Sequence, residues 1–274
     1  MSRDEKLARF RELHERPGVF VIPNPWDAGS ARILTALGFE ALATTSGGYA
    51  FSIGGRDEIG ELSRDGVLEN AATIVAATSL PVSADLADGF GVAPETCAET
   101  IERAVAAGLV GGSIEDATSD PDSPIQPLDL AVERVAAAAE AAHKHGFVLT
   151  ARAEEWLYME PDLDRTIERL NAFAAAGADV LYAPGLQSLE AIAEVCAAVS
   201  KPVNVLMGLR GATFSVGELA DAGVKRISVG GSLARAALGA LHEAAREMLD
   251  SGTFTYASRA LPTSEVERLL SSGS

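Results

Sequence analysis

Residues 175–183 read Ala-Ala-Gly-Ala-Asp-Val-Leu-Tyr-Ala, and this stretch carries the pattern that decides the fold. Small residues typical of a helix end precede Gly177, and an apolar run begins three positions after it, at Val180. A glycine just past a helix takes the left-handed conformation that caps the last carbonyl groups. The stretch therefore predicts a helix end, a tight turn and the beginning of a β-strand.

The same order of helix, glycine and strand recurs along the chain. The other glycines of the pattern are Gly38, Gly108, Gly146 and Gly223. Pro81 and Pro202 announce two more strands, because proline ends a helix and is accepted at the first position of a strand. With one strand near the start, eight are predicted, at residues 19–23, 41–45, 82–85, 112–115, 148–152, 179–183, 203–206 and 226–229.

Helical patterns lie between these strands. They cover residues 27–37, 64–78, 94–107, 128–145, 163–176, 189–199, 216–222 and 233–249. The strands lack polar alternation, which indicates burial on both faces, as in a parallel sheet. Eight strand-then-helix units of roughly 30 residues each predict a (β/α)8 TIM barrel.

A doubly wound open sheet is the rival fold, and it usually has a glycine-rich turn after its first strand. Here that position reads Pro23-Asn24-Pro25-Trp26-Asp27, which is no such turn. We expect a single barrel domain over residues 1–274. An extra N-terminal helix within residues 1–17 precedes the first strand, and a C-terminal tail, residues 251–274, contains one last short helix at 263–270.

Charge and hydropathy restrict the class of protein. The chain has 22 Lys and Arg against 39 Asp and Glu, a net charge of −17. This balance argues against binding to nucleic acid or to an anionic membrane surface, both of which require clustered basic residues. No apolar run reaches the roughly 18 residues of a membrane span, and residues 1–16 lack the apolar core of a signal peptide. We expect a soluble cytoplasmic protein.

Cysteine and histidine are placed unfavourably for catalysis. Cys97 and Cys196 lie in alanine-rich helical stretches and are interpreted as small buried residues. The four histidines, His14, His143, His145 and His242, fall within or at the ends of predicted helices, where we expect solvated side chains. Their absence from strand ends excludes a Ser–His–Asp triad, a histidine metal site and a histidine general base.

Carboxylates gather at the carboxyl ends of strands 2 to 4, where a TIM barrel has its active site. Asp85 and Glu115 each end an apolar strand, and Asp57 and Asp88 lie in the loops that follow strands 2 and 3. Like charges at close range are costly unless a cation neutralises them. Oxygen ligands favour Mg²⁺, with Mn²⁺ as an alternative ion. For Asp88 and Asp116, a role as helix-capping residues explains the sequence equally well.

Other strand ends carry candidates for binding an anion. Ser46-Gly47-Gly48 could present backbone N–H groups, although a plain loop turn is an equal alternative. Arg152 ends a buried strand and requires an anionic partner, either a protein carboxylate or a substrate. Gly230-Gly231-Ser232 either binds phosphate or simply begins the eighth helix. Trp26, Thr45 and Asn204 stand at further strand ends and are candidates for contact with substrate.

Five short motifs together resemble the isocitrate lyase/phosphoenolpyruvate mutase superfamily. They are Asn24-Pro25-Trp26-Asp27-Ala28, Thr44-Thr45-Ser46-Gly47-Gly48, Asp85-x-x-x-Gly89-Phe90-Gly91, Ser113-Ile114-Glu115-Asp116 and Ala151-Arg152-Ala153-Glu154. The resemblance runs in order from about residue 19 to 245. It implies a barrel whose eighth helix is exchanged between the subunits of a homodimer or homotetramer, with Mg²⁺ and a 2-oxo acid or its enolate.

The resemblance also implies roles for single residues. Asp85 would bind the metal directly, and Asp57 and Glu115 would hold its waters. The backbone of Ser46, Gly47 and Gly48 would bind the substrate carboxylate. Arg152 would hold a carboxylate or enolate oxygen.

Departures from the family pattern bear on the reaction. Residues 117–124 lack the Cys, Lys and His that the lyases carry in the loop after strand 4, and the Lys and Asn of the phosphonomutase are absent there too. The phosphonomutase histidine of strand 6 is also replaced near Pro184. Ala87 stands where the family usually has a second acid.

The leading hypothesis is a Mg²⁺-dependent lyase that cleaves a C–C bond of a small 2-oxo or 2-hydroxy acid through an enolate. Decarboxylation of oxaloacetate is the least demanding example, because CO₂ leaves without a general acid. Two alternatives remain open at this stage: a phosphonomutase-type enzyme, and a barrel that binds an oxo acid without catalysis.

Overall fold

The computed structural model describes residues 1–208, 211 and 213–271. Within them, eight parallel strands form one sheet in the order β1-β8-β7-β6-β5-β4-β3-β2. The strands are β1 Phe20–Ile22, β2 Leu42–Ala43, β3 Val82–Asp85, β4 Gly111–Glu115, β5 Val148–Arg152, β6 Val180–Tyr182, β7 Val203–Leu206 and β8 Arg226–Ser228. The Ala43 N–H donates to the Pro23 carbonyl at 3.0 Å, which brings β2 beside β1 and nearly closes the sheet on itself.

Helices alternate with the strands. They are α1 Arg3–Glu15, α2 Ala28–Ala36, α3 Ser46–Ser52, α4 Arg64–Ala77, α5 Pro94–Ala106, α6 Leu128–Lys144, α7 Glu155–Tyr158, α8 Leu163–Ala175, α9 Leu189–Ala198, α10 Val216–Asp221, α11 Ser232–Ser251 and α12 Thr263–Ser271. This architecture confirms the expected (β/α)8 barrel with an additional N-terminal helix. None of the described helices is long and apolar enough to cross a lipid bilayer.

The glycines of the recurring pattern act as predicted. Gly38, Gly108, Gly146, Gly177 and Gly223 all have positive φ, between 69° and 108°. Each follows a helix directly and turns the chain toward the next strand. The left-handed conformation is costly for a residue with a Cβ, which explains why glycine stands at these five turns.

Helix α1 closes the amino end of the barrel. Phe10 and Leu13 of α1 pack against Phe20, Val148 and Val180, which begin strands or lie near their beginnings. A separate and larger apolar cluster joins the outside of the sheet to the surrounding helices. Helix α1 therefore closes the amino end of the barrel, and the carboxyl ends of the strands face an open cavity.

His14 corrects the expectation that the histidines are simply solvated. Its ring lies edge-on to Phe10 and Phe20, with centroid distances of 4.7 and 5.0 Å. Burial, together with the nearby charge of Arg226, lowers the pKa of His14 to about 3. His14 is thus a neutral part of the packing beneath the barrel.

Helix α3 was not predicted, since its segment was expected to be loop. Its first turn contains Gly47 and Gly48, which are poor helix formers. Thr45 compensates as the N-cap, because its Oγ1 accepts the Gly48 N–H at 3.2 Å. The helix begins just after β2, and its first residue, Ser46, lines the cavity.

Candidate active site

A cavity of about 780 Å³ opens at the carboxyl ends of the strands. Eight of the residues proposed from sequence line it: Thr45, Ser46, Asp57, Asp85, Asp88, Glu115, Arg152 and Asn204. Trp26, Gly47 and Gly48 are not among its lining residues. The fold therefore brings most of the candidates to one place, and the other three lie directly behind it.

Arg152 is the central cation of the cavity. Its Nη1 lies 3.1 Å from Asp85 Oδ1, its Nη2 lies 3.0 Å from Glu115 Oε2, and its Nε lies 2.6 Å from Glu154 Oε1. The guanidinium carbon lies 5.2 Å from the centre of the Tyr182 ring. Burial alone would lower the pKa of Arg152, but the three carboxylates outweigh it and hold that pKa well above its usual value. Arg152 is a permanent positive charge.

The carboxylates around Arg152 are themselves buried. Burial raises the pKa of Glu115 well above its usual value, although attraction to Arg152 opposes the rise. Burial raises the pKa of Glu154 in the same way, again against the effect of Arg152. More negative than positive charge meets at this point, an arrangement that favours an added cation.

Asp57, Asp85 and Ser46 form a second group beside the first. The Ser46 N–H and hydroxyl lie 3.1 and 2.8 Å from Asp85 Oδ2, and the same hydroxyl lies 3.3 Å from Asp57 Oδ1. Burial raises the pKa of Asp57, and the negative charge of Asp85 raises it further. Two carboxylates that share one hydroxyl and repel one another offer hard oxygen ligands to a divalent ion.

This group fits Mg²⁺ better than an ion that requires a full set of protein ligands. Among the described residues, no three His, Cys, Asp or Glu side chains are arranged so that they could hold a metal ion. Mg²⁺ keeps several waters and uses one or two carboxylates. The donor set around Asp85, oxygen-only and few in number, suits that mode of binding.

Gly47 and Gly48 are required by close packing at the beginning of α3. A Cβ at Gly47 would lie 2.7 Å from Asp57 Cγ, and a Cβ at Gly48 would lie 2.9 Å from Trp26 Cβ. The Gly48 N–H already donates to Thr45, as the Ser46 N–H does to Asp85. Because Gly47 has no side chain, the Asp57 carboxylate rests directly against its backbone.

Asp88 lines the cavity and also shapes the loop after β3. Its Oδ1 accepts the Phe90 N–H at 3.0 Å, and its carbonyl accepts a hydrogen bond from Arg134. Ala87 and Phe90 have φ of 46° and 64°, uncommon for residues with a side chain. The loop is thus held in a strained conformation directly after Asp85.

Asp116 points away from the cavity, because successive residues of a strand face opposite sides. It lies 3.1 Å from Arg169 Nη1 and accepts the Glu154 N–H at 2.9 Å. Burial raises the pKa of Asp116 to about 7, with Arg169 acting in the opposite direction. Its role is to fix the backbone of Glu154, which in turn holds Arg152.

Asn204 lies deeper than the other candidates. Its amide donates to Ser228 Oγ at 2.9 Å and accepts from Arg226 Nε at 2.8 Å. Asn24 is also used structurally, since its Oδ1 accepts the N–H groups of Val229 and Gly230.

Glu154 was not among the site residues proposed from sequence. The signal was present, because residues two apart on an extended segment face the same side and Arg152 stands two positions before it. A buried acid beside a buried arginine could have been inferred from that spacing. Gly230 and Gly231 line the cavity and lead into α11.

The sequence matches a family model described as phosphoenolpyruvate phosphomutase over residues 10–249. A crystal structure from Burkholderia cenocepacia J2315, described only provisionally as a lyase/mutase, superposes with a TM-score of 0.94 at 57% identity, covering 97% of this chain and 95% of the other. An uncharacterised protein of Mycobacterium tuberculosis is 31% identical over 95% of both chains. A 2-methylisocitrate lyase of Shewanella oneidensis is 30% identical over 80% of this chain and 77% of its own. The chain therefore belongs to the isocitrate lyase/phosphoenolpyruvate mutase superfamily, a family of lyases and mutases.

Proposed function

We propose that this protein is a Mg²⁺-dependent lyase that cleaves a C–C bond of a small 2-oxo or 2-hydroxy carboxylic acid through an enolate. The observation that carries the proposal is the position of Arg152, a permanent cation at the carboxyl end of β5. A fixed positive charge at the place where an oxyanion develops is the largest contribution to many such reactions.

Mg²⁺ is the proposed cofactor, with Mn²⁺ as the alternative. Asp85 would bind the ion directly, and Asp57 and Glu115 would hold its waters, with Asp88 nearby. When bound, the ion supplies Lewis-acid polarisation of the substrate oxygen. The shared Ser46 hydroxyl keeps Asp57 and Asp85 in position for this task.

In the proposed decarboxylation of oxaloacetate, side chains of the protein hold the substrate while the bond breaks. In oxaloacetate, the bond between C3 and C4 breaks, CO₂ leaves, and the electron pair passes to the C2 oxygen. Arg152 holds that oxygen, while Glu115 and Glu154 prevent the guanidinium from turning away. C3 then takes a proton from water, so no protein acid is required. This agrees with the lack of Cys and His in residues 117–124.

The test is release of pyruvate from oxaloacetate, measured above the background that free Mg²⁺ produces. We expect the wild type to exceed that background and Asp85→Ala to lose at least 10²-fold in rate. Asp122→Ala, a change in an exposed acid of the loop after β4, is the control and should keep the rate. Equal rates for wild type and Asp85→Ala would contradict the proposal.

A phosphonomutase reaction is the second candidate, since it is the reaction for which the matching family model is described. It requires cations to hold the migrating phosphoryl group. Residues 117–124 offer no Lys or Arg for that purpose. Formation of phosphonopyruvate from phosphoenolpyruvate, assayed in the same preparations, would favour this reaction over decarboxylation.

We further propose a homodimer or homotetramer in which α11 is exchanged between subunits. Of the 20 residues of α11, all of them described, only Ala234 is buried. Leu241 and Leu249 are 65% and 79% exposed. Apolar side chains on a helix that leaves its own barrel are explained by a second copy of the chain.

A further inference from the structure

A group of buried charges lies directly behind the candidate active site. Asp116 is 4% exposed, Glu155 is 1% exposed and Arg169 is 7% exposed. Within the described part of the chain, none of the three is among the residues that line the cavity, so none is placed to touch a substrate. The partly exposed Arg165 completes the group, because its Nε lies 2.5 Å from Glu155 Oε1. Two acids and two arginines balance, and the group requires no further ion.

Arg169 extends from α8 and joins three other segments of the chain. Its Nη1 donates to Asp116 Oδ2 at 3.1 Å, just after β4. Both its Nη1 and its Nη2 donate to the Gln126 carbonyl at 3.2 Å, just before α6. Its Nε lies 3.8 Å from Glu155 Oε1 in α7. A planar guanidinium presents its donors in a rigid fork, so it fixes the directions of several partners at once.

Asp116 connects this arginine to Arg152, the central cation of the cavity. The Asp116 N–H donates to the Arg152 carbonyl at 3.3 Å, and its Oδ1 accepts the Glu154 N–H at 2.9 Å. Glu154 Oε1 lies 2.6 Å from Arg152 Nε. Both the backbone and the guanidinium of Arg152 are therefore held through Asp116, and Arg169 holds the other carboxylate oxygen of Asp116.

The same arginine holds the base of the loop after β4. This loop folds back on itself, because Ala117 and Ile125 form an antiparallel bridge. At its base the Gln126 N–H donates to the Asp116 carbonyl at 2.8 Å. Ser119, within the loop, lines the cavity. One side chain outside the cavity thus anchors both a part of the cavity wall and the cation at its centre.

We propose that Arg169 is a positioning residue, which through Asp116 and Gln126 fixes Arg152 and the loop after β4 relative to each other. The inference rests on the proposed function, in which Arg152 holds the developing oxyanion. Well-packed apolar residues are often as stabilising as a buried ion pair, so stability alone does not explain this one. Hydrogen bonds between charged groups add direction, which apolar contacts lack.

The first measurement is the steady-state kinetics of oxaloacetate decarboxylation by Arg169→Met. We expect kcat to fall about 10²-fold, because a small displacement of Arg152 weakens its contact with the oxyanion. KM should change less than about threefold, since that contact is made chiefly in the transition state. Leu170→Ala is the matched control, because Leu170 is fully buried on the same helix. It should lose stability to a cavity and keep kcat.

A double variant distinguishes positioning from stability. Arg169→Met alone leaves the Asp116 carboxylate buried without its nearest cation, which is destabilising. Asp116→Asn/Arg169→Met removes both charges and keeps an oxygen for the Glu154 N–H, so urea unfolding should show that stability is partly regained. We expect kcat to remain low, because α8 no longer holds position 116. Recovery of kcat together with stability would assign Arg169 a structural role only and overturn the proposal.

Arg169→Lys replaces Arg169→Met if the latter does not fold. Lysine keeps the positive charge and lacks the rigid fork that binds Asp116 and Gln126 together. We expect stability near that of the wild type and a kcat about 10-fold lower. A wild-type kcat in Arg169→Lys would overturn the proposal.

Binding of oxalate tests the inference without turnover. Oxalate is a planar dianion with adjacent oxygens, like the enolate of a 2-oxo acid, and it is titrated calorimetrically with Mg²⁺ present. We expect Arg169→Met to bind oxalate about 10-fold more weakly than the wild type, and Leu170→Ala to bind it equally well. This result would support the role of Arg169 even if oxaloacetate is not decarboxylated.

Failure of the inference is distinguishable from failure of the proposed function. If the wild type decarboxylates oxaloacetate and Arg169→Met has the same kcat and the same affinity for oxalate, the inference is overturned and the proposed function stands. A wild type that neither decarboxylates oxaloacetate nor binds oxalate overturns both.

Discussion

Gly47 shows how little space separates the backbone from the proposed chemistry. Its position against Asp57 allows no side chain, because a Cβ would lie 2.7 Å from Asp57 Cγ. We expect Gly47→Ala to displace Asp57 and to lower the rate of oxaloacetate decarboxylation about 10²-fold. The free energy of unfolding should fall by about 1–3 kcal/mol. Steady-state kinetics and urea unfolding measure the two effects.

Gly29→Ala is the matched control. Gly29 lies in the first turn of α2, and a Cβ there would meet only Asp27 Oδ1 at an ordinary 3.5 Å. This variant should keep its activity and gain up to about 1 kcal/mol of stability. If the two alanine variants behaved alike, close packing at Gly47 would have no part in the activity.

Ala87 permits a test of the proposed metal site in which a carboxylate ligand is added rather than removed. It stands two residues after Asp85 in a left-handed conformation that Asp tolerates better than most residues. We expect Ala87→Asp to bind Mg²⁺ on the order of 10-fold more tightly, because a further carboxylate joins the oxygen donors. Titration calorimetry measures the affinity, and Ala87→Asn supplies the same shape without the charge. Equal Mg²⁺ affinity in the two variants argues against a metal at Asp85.

At the scale of the element, α3 depends on its cap. The Thr45 hydroxyl accepts the Gly48 N–H in the first turn of a helix that contains two glycines. We expect Thr45→Val to lose about 1 kcal/mol of stability and to raise the KM for oxaloacetate, since Ser46 is no longer held toward Asp85. Thr45→Ser keeps the hydroxyl and should resemble the wild type. Equal melting temperatures for the two variants contradict this interpretation.

His14 in helix α1 makes the free energy of unfolding depend on pH. The pKa of His14 is about 3 in the folded protein and about 6.5 when unfolded. Below pH 6.5 the unfolded chain takes up a proton that the folded chain refuses. The free energy of unfolding therefore falls as the pH is lowered from about 6.5 toward 3, by up to about 1.4 kcal/mol per pH unit.

His14→Phe removes this contribution while filling the same space. Urea unfolding of both proteins at several pH values between 7 and 4 measures the difference. We expect the wild type to lose stability relative to His14→Phe as the pH falls. Parallel pH profiles would show that His14 is protonated in the folded state.

Elements differ in how far the sequence predicts them. Turns marked by Gly38 or Gly177 were predictable because a single residue type satisfies the left-handed backbone. Helix α3 was not, because its propensity is poor and its stability comes from the Thr45 cap and from packing around Gly48. The expectation for His14 was wrong because the contact with Phe20 joins α1 to β1, and helix periodicity contains no information about that partner.

At the scale of the whole molecule, the candidate site was predictable in outline. The rule that parallel strands bring their carboxyl ends together placed Asp85, Glu115 and Arg152 in one cavity. The pairing of Arg152 with Glu154 and the hydrogen bond from Arg226 to Asn204 depend on side-chain geometry across the barrel. Strand order alone does not determine that geometry.

If α11 is exchanged between subunits, a charged residue on its apolar face should dissociate the oligomer. We expect Leu241→Glu to dissociate the assembly into monomers, because a carboxylate in an apolar interface is costly to desolvate. Leu37→Glu, at a similarly exposed leucine beside α2, should leave the assembly intact. Light scattering on the three proteins measures the mass. A monomeric wild type would remove the basis for helix exchange.

Helix α1, which closes the amino end of the barrel, also determines from which side molecules can reach the cavity. With Phe10 and Phe20 sealing the amino end, the described part of the cavity opens at the carboxyl ends of the strands, where Ser119 also lines it. In the proposed reaction, substrate and products would therefore enter and leave on the side of the barrel opposite α1.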